Sequence, residues 1–277
     1  MEHDDIPYTI IDLSSGSDQL IQVPTQESFI GQMVSAMEFF FGVGENTFPD
    51  LYPNRSDSSN FPFKGFILEG PPGSGKTEAV FEAGRRLWRH LGHQHDLDVI
   101  LIHVDSGRIN RSRFGQAETR LERVFRDAQT STNNLTRTII LFDDIETLLI
   151  DRKDRTSQEW SRSLNGVFFH ALDNLVTTKT MVVGTTNLSE MVDPAVRSRL
   201  VHRDAPAPTR EEMKQVAQTA LPIRGARGMT QEHLLELTSQ SIDRHLDRGE
   251  PPSFRLALQT AIETVVSSVA GWDAGNG

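Results

Sequence analysis

Residues Gly70, Pro71, Pro72, Gly73, Ser74, Gly75, Lys76 and Thr77 form a run in which one glycine precedes a Gly-Lys-Thr triplet by the spacing of a phosphate-binding loop. Gly70, Gly73 and Gly75 let the backbone turn tightly, so that successive N–H groups can point inward at phosphate oxygens. Lys76 adds a point charge near the outer phosphates, and the Thr77 hydroxyl suits Mg²⁺. Phe66-Ile67-Leu68 reads as a strand entering the loop, and Glu78 to Leu91 as the helix leaving it, whose positive dipole end favours an anion. A chance glycine turn would not come with strand, loop and helix in this order. Binding of a nucleoside triphosphate follows.

A second constellation lies at Ile139-Ile140-Leu141-Phe142-Asp143-Asp144. Four apolar residues predict a buried strand, and its carboxylates stand at the C-terminal end, where α/β sheets place their ligand sites. Asp143 would hold Mg²⁺, directly or through water, and Asp144 would polarise an attacking water. A third apolar strand, Met181 to Thr185, leads to the amide of Asn187, which could orient that water or contact the γ-phosphate. Asp193-Pro194 then makes a turn followed by Arg197 and Arg199. Arg255 opens the last helical stretch, and Phe114 stands on a polar segment between Arg113 and Gly115. His90, His93 and His95 lie at a helix end without a pattern of acidic partners, so an exposed loop is favoured over a metal site.

The elements that must position these groups alternate. Strands are predicted at 66–69, 99–104, 138–143, 181–185 and, more weakly, 200–203, with helices at about 76–91, 115–129 and 158–176. That is an α/β fold: a parallel five-stranded P-loop NTPase sheet flanked by helices. Phe29 to Phe41 is apolar at helical intervals, and the polar first twenty or so residues read as an arm or weak strand. After Ala205-Pro206-Ala207-Pro208 no strand pattern recurs. Thr209 and Glu212 predict a capping box, Thr230 begins another helix, and Ser253 looks like the N-cap of the last. The expected organisation is an N-terminal arm over 1–25, a nucleotide-binding domain over 26–207, a small all-α lid over 208–272 and a tail at 273–277.

Composition sets the outer bounds. With no cysteine, disulfides, cysteine metal sites and thiol catalysis are excluded. The formal net charge of −10 disfavours a protein that coats nucleic acid. No apolar run approaches the roughly 18 residues that span a bilayer, and the acidic N-terminus is unlike a secretory signal. A cytoplasmic setting without membrane is expected.

Taken in order, these motifs resemble the AAA+ family (ATPases associated with diverse cellular activities). Gly70–Thr77 is similar to its Walker A loop, Ile139–Asp144 to Walker B and Asn187 to sensor 1. Phe29-Ile30-Gly31 resembles the segment before the first helix, so the resemblance places Ile30 and Gly31 over adenine. Glu78 follows the phosphate loop directly and belongs to the same nucleotide-binding set. The resemblance implies ATP and Mg²⁺, with Lys76, Asp144 and Asn187 catalytic from one subunit and Arg197 or Arg199 reaching the neighbour's nucleotide as an arginine finger. Arg255 resembles the sensor 2 arginine, set against an ordinary exposed helix arginine. Arg113-Phe114-Gly115 resembles a first pore loop that grips polypeptide, with one residue fewer between aromatic and glycine. The family usually has glutamate at Asp144, so slow hydrolysis is expected, faster in Asp144→Glu. Glu146, two residues on, could compensate, although it falls where the family places a structural acid.

Two functions follow from the resemblance. One is a ring ATPase, a homo-oligomer and probable hexamer in the family pattern, that threads or remodels a protein client. The other is a slow-hydrolysing assembly switch that forms a ring on a partner or adaptor. Nucleic-acid loading is disfavoured by the acidic balance.

Overall fold

The computed structural model describes residues 6–14, 23–41, 63–110, 116–132, 134–149, 159–188, 190 and 192–270. The expected pore loop at Arg113, Phe114 and Gly115, most of the N-terminal arm and the tail lie outside the described residues.

The strands are β1 (Tyr8–Ile11), β2 (Gly65–Glu69), β3 (Asp98–Asp105), β4 (Thr136–Asp143), β5 (Thr180–Thr186) and β6 (Val201–Asp204). The helices are α1 (Pro24–Phe40), α2 (Lys76–His95), α3 (Ser106–Asn110), α4 (Gln116–Ser131), α5 (Glu159–Asp173), α6 (Pro194–Arg197), α7 (Arg210–Ala220), α8 (Gln231–Asp247) and α9 (Phe254–Ala270). A 3₁₀ turn, Ile145–Thr147, follows β4.

The sheet order is β1-β3-β4-β5-β2-β6. Strands β2 to β6 pair in parallel, matching the five expected strands. A sixth strand corrects that count: β1 adds antiparallel to the outside of β3, Tyr8 opposite Val104. It lies in the stretch read as an arm or weak strand, and the strand alternative fits residues 8–11, with the pairing supplied by β3 rather than by local propensity. Tyr8 anchors it, donating from its hydroxyl to Asp127 Oδ2 on α4 at 2.8 Å. Burial pushes the Tyr8 pKa up to about 12, aided by the hydrogen bond to Asp127 and its negative charge.

Helix α1 also departs from expectation, beginning at Pro24 rather than near Phe29. Proline at the first helical position loses no hydrogen bond there and arrives with helical φ. Ile30 and Gly31 therefore sit inside the helix and not in a segment before it. Ile30 is buried and Gly31 half-buried.

Contacts divide the chain into two units. The larger contains the sheet, α2 to α6 and α1 from Ile30 onward. Its core interleaves the strand residues Ile67, Ile102, Ile140 and Val182 with Leu121, Val124, Phe125 and Ala128 of α4. These are the apolar stripe predicted for that helix. Phe142, Phe125 and Phe168 add edge-to-face and tilted ring contacts at 5.4–5.8 Å. The smaller unit contains α7 to α9 and, unexpectedly, Gly70–Gly75 and the first turn of α1. Its core is Met213, Ala217, Leu221, Leu234, Ile242, Ala257 and Ala261. Thr209 and Glu212 form the expected capping box at the start of α7. No described helix is long and apolar enough to cross a membrane.

Candidate functional site

Within the larger unit, β2, β4 and β5 are sheet neighbours or next neighbours, and their C-terminal ends carry the expected site residues. Lys76 opens α2 with 7% exposure and donates from Nζ to Asn187 Oδ1 at 2.8 Å. Asn187, just past β5, turns its amide Nδ2 to Asp144 Oδ1 at 3.0 Å. Thr77 Oγ1 donates to Asp143 Oδ1 at 2.7 Å. Lys76, Thr77, Asp143, Asp144 and Asn187 are thus joined by hydrogen bonds, although they come from three separate stretches of chain.

Two residues not singled out by sequence reasoning complete this group. Thr185, 1% exposed, donates to Asp143 Oδ1 at 2.5 Å and accepts the Asp144 backbone N–H at 3.0 Å. Its hydroxyl therefore touches both members of the acidic pair. Ser106, opening α3, donates to the Asp143 carbonyl at 2.8 Å. Thr185 stands in a run of buried β-strand residues that reads as core, so nothing in its local pattern marks it.

Asp144 itself has φ 47° and ψ 55°, the left-handed region. Aspartate tolerates that conformation better than longer residues do. Glu146, 8% exposed, accepts the Asn187 backbone N–H on its Oε1 at 3.2 Å. His103 Nε2 lies 3.9 Å from Asp143 Oδ2, on the wall of a cavity of about 470 Å³ that also reaches Tyr8, Asp105, Arg108 and Asp144.

Arg197 and Arg199 differ sharply. Asp193 caps α6 by accepting Ala195 N–H at 2.8 Å and is held by Asn165 Nδ2 at 3.1 Å. Arg199 grips Asp173 with two prongs, Nε to Oδ1 at 2.6 Å and Nη2 to Oδ2 at 2.9 Å. Its third donor, Nη1, reaches the Ala195 carbonyl at 3.0 Å, and its guanidinium lies over Phe169 at 5.3 Å from the ring centre. The hydrogen bond from Arg199 holds Asp173 below the usual carboxylate range, and the same bond raises the Arg199 pKa. Arg197 is exposed.

In the smaller unit the phosphate loop has Gly73 at φ 79° and Gly75 at φ 85°, backbone that favours glycine at both positions. Gly70 and Pro71 are half-buried and Pro72 is exposed. Ser74 is fully buried, with no hydrogen-bond partner for its Oγ. Arg255 starts α9 as an exposed residue whose Cβ lies 2.8 Å from where a Gly73 side chain would begin. Glu78 is exposed in the first turn of α2. The loop expected around His90, His93 and His95 is instead helix: α2 runs on to His95 and contains all three.

The donor set fits a nucleoside triphosphate with Mg²⁺. Thr77 and Asp143 bring two hard oxygens within 2.7 Å of one another, as a small divalent cation requires. In the same unit Lys76 supplies a buried cation.

Comparison with known proteins agrees. The chain is 27% identical over 170 residues to an AAA ATPase forming ring-shaped complexes from Corynebacterium diphtheriae, covering 60% of this chain and 32% of that protein. It is 26% identical over 153 residues to a proteasome-associated ATPase of Streptomyces scabiei, covering 53% and 26% respectively. The chain thus spans about a third or less of the length of these curated relatives. Its fold matches a chain in the E. coli MS115-1 HORMA:CdnC:Trip13 complex with a TM-score of 0.63 at 16% identity, covering 92% of this chain and 94% of that one. C. elegans PCH-2 matches with a TM-score of 0.54 at 11% identity, over 90% and 71%. The family model for the ATPase family associated with various cellular activities matches residues 66–205, about half of the sequence, and the chain belongs to that family.

Proposed function

We propose that the protein hydrolyses ATP with Mg²⁺ and, as a ring of copies, uses that cycle to remodel a protein partner. The observation that carries this reading is the run Lys76–Asn187–Asp144, in which one amide links the phosphate-side cation to the water-side carboxylate. When bound, the nucleotide supplies the phosphoryl group to be transferred, and Mg²⁺ neutralises its charge. Thr77 and Asp143 would hold the cation. Asp144 accepts a proton from the attacking water, with Asn187 keeping its Oδ1 in place. Ile30, Gly31 and Glu78 are assigned to the nucleotide-binding set with Gly70–Thr77, and Arg255 to sensing it from the lid over 208–272. Residues 26–207 form the nucleotide-binding domain in this scheme.

Of the two arginines, Arg197 is the one assigned as the finger that completes a neighbouring copy's site. Arg199 is committed to Asp173 and Ala195, which supports a role in holding the turn that presents Arg197. A protein partner is supported by the names of the relatives, which point to rings and to the proteasome, and by the likeness to a chain solved with other proteins. The pore-loop assignment of Arg113, Phe114 and Gly115 belongs to the same scheme.

Phosphate release by the native chain, set beside Asp144→Asn, tests the reading. ATP-dependent release that the substitution abolishes is expected, and native protein that binds but never hydrolyses ATP would sink it. The slow-switch alternative is favoured by the short Asp144 side chain. It predicts ATP-dependent ring assembly, with turnover that an unfolded polypeptide such as casein leaves unchanged and with action on the client surviving Phe114→Ala, whereas threading predicts that Phe114→Ala keeps ATPase activity and abolishes remodelling.

A further inference from the structure

Gln26 lies in the first turn of α1, 2% exposed, an unusual place for an amide. Its Nε2 donates to the Ser74 carbonyl at 3.0 Å, while its Oε1 is buried without a hydrogen-bond partner. Because a carbonyl only accepts, the NH₂ end must be the one facing Ser74. Leaving the other end unpaired is unfavourable, so the donor end has to offset that elsewhere.

The loop is held from a second side. Phe254 N–H, at the start of α9, donates to the Gly73 carbonyl at 2.9 Å. A Cβ on Gly75 would sit 3.4 Å from the Phe254 ring and 3.8 Å from Gln26 Nε2, so both side chains line the same flank of the loop. Gln26 is in turn fixed by its neighbour. Thr25 donates from its backbone N–H and from Oγ1 to Glu212 Oε1, both at 2.9 Å. Glu212 Oε2 closes the α7 capping box on Thr209 N–H at 2.8 Å. Burial would raise the Glu212 pKa, yet these hydrogen bonds outweigh it and hold the carboxylate ionised.

We propose that Gln26 is a positioning residue of the phosphate loop, anchored through Thr25 and Glu212, that aims the Gly75 N–H at the bound phosphates. The geometry follows from the trans peptide, in which C=O and the next N–H point in opposite directions. Pulling the Ser74 carbonyl toward Gln26 turns the Gly75 N–H away from it, to the inner side of the loop. This rests on the ATP reading of the same loop.

The test is calorimetric titration of the native full chain and of Gln26→Met with ATP and with AMP. The substitution keeps the length and removes the donor. ATP affinity should fall about tenfold, AMP affinity should stay within about twofold, and KM for ATP should rise while kcat holds. Equal ATP affinity in the two proteins overturns the inference and leaves the ATP reading standing. Native protein that binds no ATP removes both. Should Gln26→Met not fold, hydrogen exchange of the native chain decides: Gly75 N–H gains protection on adding ATP if it faces phosphate, and an unchanged rate overturns the proposal.

Discussion

Lys76 and Asp144 are each bonded to the same amide, Asn187 Oδ1 accepting from one at 2.8 Å and Nδ2 donating to the other at 3.0 Å. A group so placed holds a cation and a base in fixed register while contributing no charge of its own. Asn187→Ala should therefore lower kcat by about 10²-fold, an oxyanion-type loss. ATP affinity, measured by titration, should stay within a few fold, because the loop that grips phosphate is intact.

The backbone at Asp144 changes what lengthening that side chain would do. On sequence grounds glutamate should speed turnover by adding reach. With φ at 47°, a residue other than Gly, Asn or Asp costs about 1 kcal/mol or more there. Asp144→Glu should lose thermal stability by a few degrees and turn over no faster than the native protein. Paired melting and phosphate-release curves decide it, and a faster, equally stable variant would restore the simpler view.

Arg197 and Arg199 should separate cleanly. Arg197→Ala leaves the melting temperature unchanged and lowers turnover by about 10³-fold, the scale of a missing finger. Arg199→Ala costs roughly 1–2 kcal/mol after allowing for solvent screening, because it breaks the fork to Asp173 and the ring contact with Phe169. Asp173 has its pKa lowered in the fold, so its contribution is present above about pH 4 and fades as the pH falls below that. In Arg199→Ala that acid-side loss of stability should shrink.

Tyr8 offers a spectroscopic check on β1. The sequence has two tyrosines, so a Tyr52→Phe background isolates Tyr8. Its phenolate absorbance should rise near pH 12 in the folded protein. A pKa raised in the fold contributes stability below the unfolded value of about 10, and that stability is lost as pH climbs through 12. A midpoint near 10 would mean that the bond to Asp127 is absent in solution.

Much of this site was legible because its parts are local. The Gly70–Thr77 spacing, the apolar run into Asp143 and Asp144, and the strand into Asn187 each declare themselves within ten residues of chain. Thr185 and Gln26 did not, since each acquires its role only from a partner far away in sequence, Asp143 and Ser74 respectively. For β1 the sequence leaves arm and weak strand open, and the edge of β3 is what makes it a strand. Arg199 was ranked equal to Arg197 because sequence gives no sign that Asp173 waits twenty-six residues upstream. The start of α1 was missed for a different reason: apolar periodicity marks the buried face and not the polar first turn, where Pro24 alone carried the signal.

The hydrogen bond from Phe254 to Gly73 bears on where this module can be cut. The family match ends at residue 205, and it contains every side chain assigned to chemistry except Ile30, Gly31, Arg255 and the proposed support at Gln26. It excludes both groups that grip the loop's outward carbonyls, Gln26 before it and Phe254 after it. A fragment bounded by that match would keep the recognisable signature and lose its scaffolding. The smallest portable piece is consequently set by two backbone acceptors, and it runs from the first turn of α1 into α9.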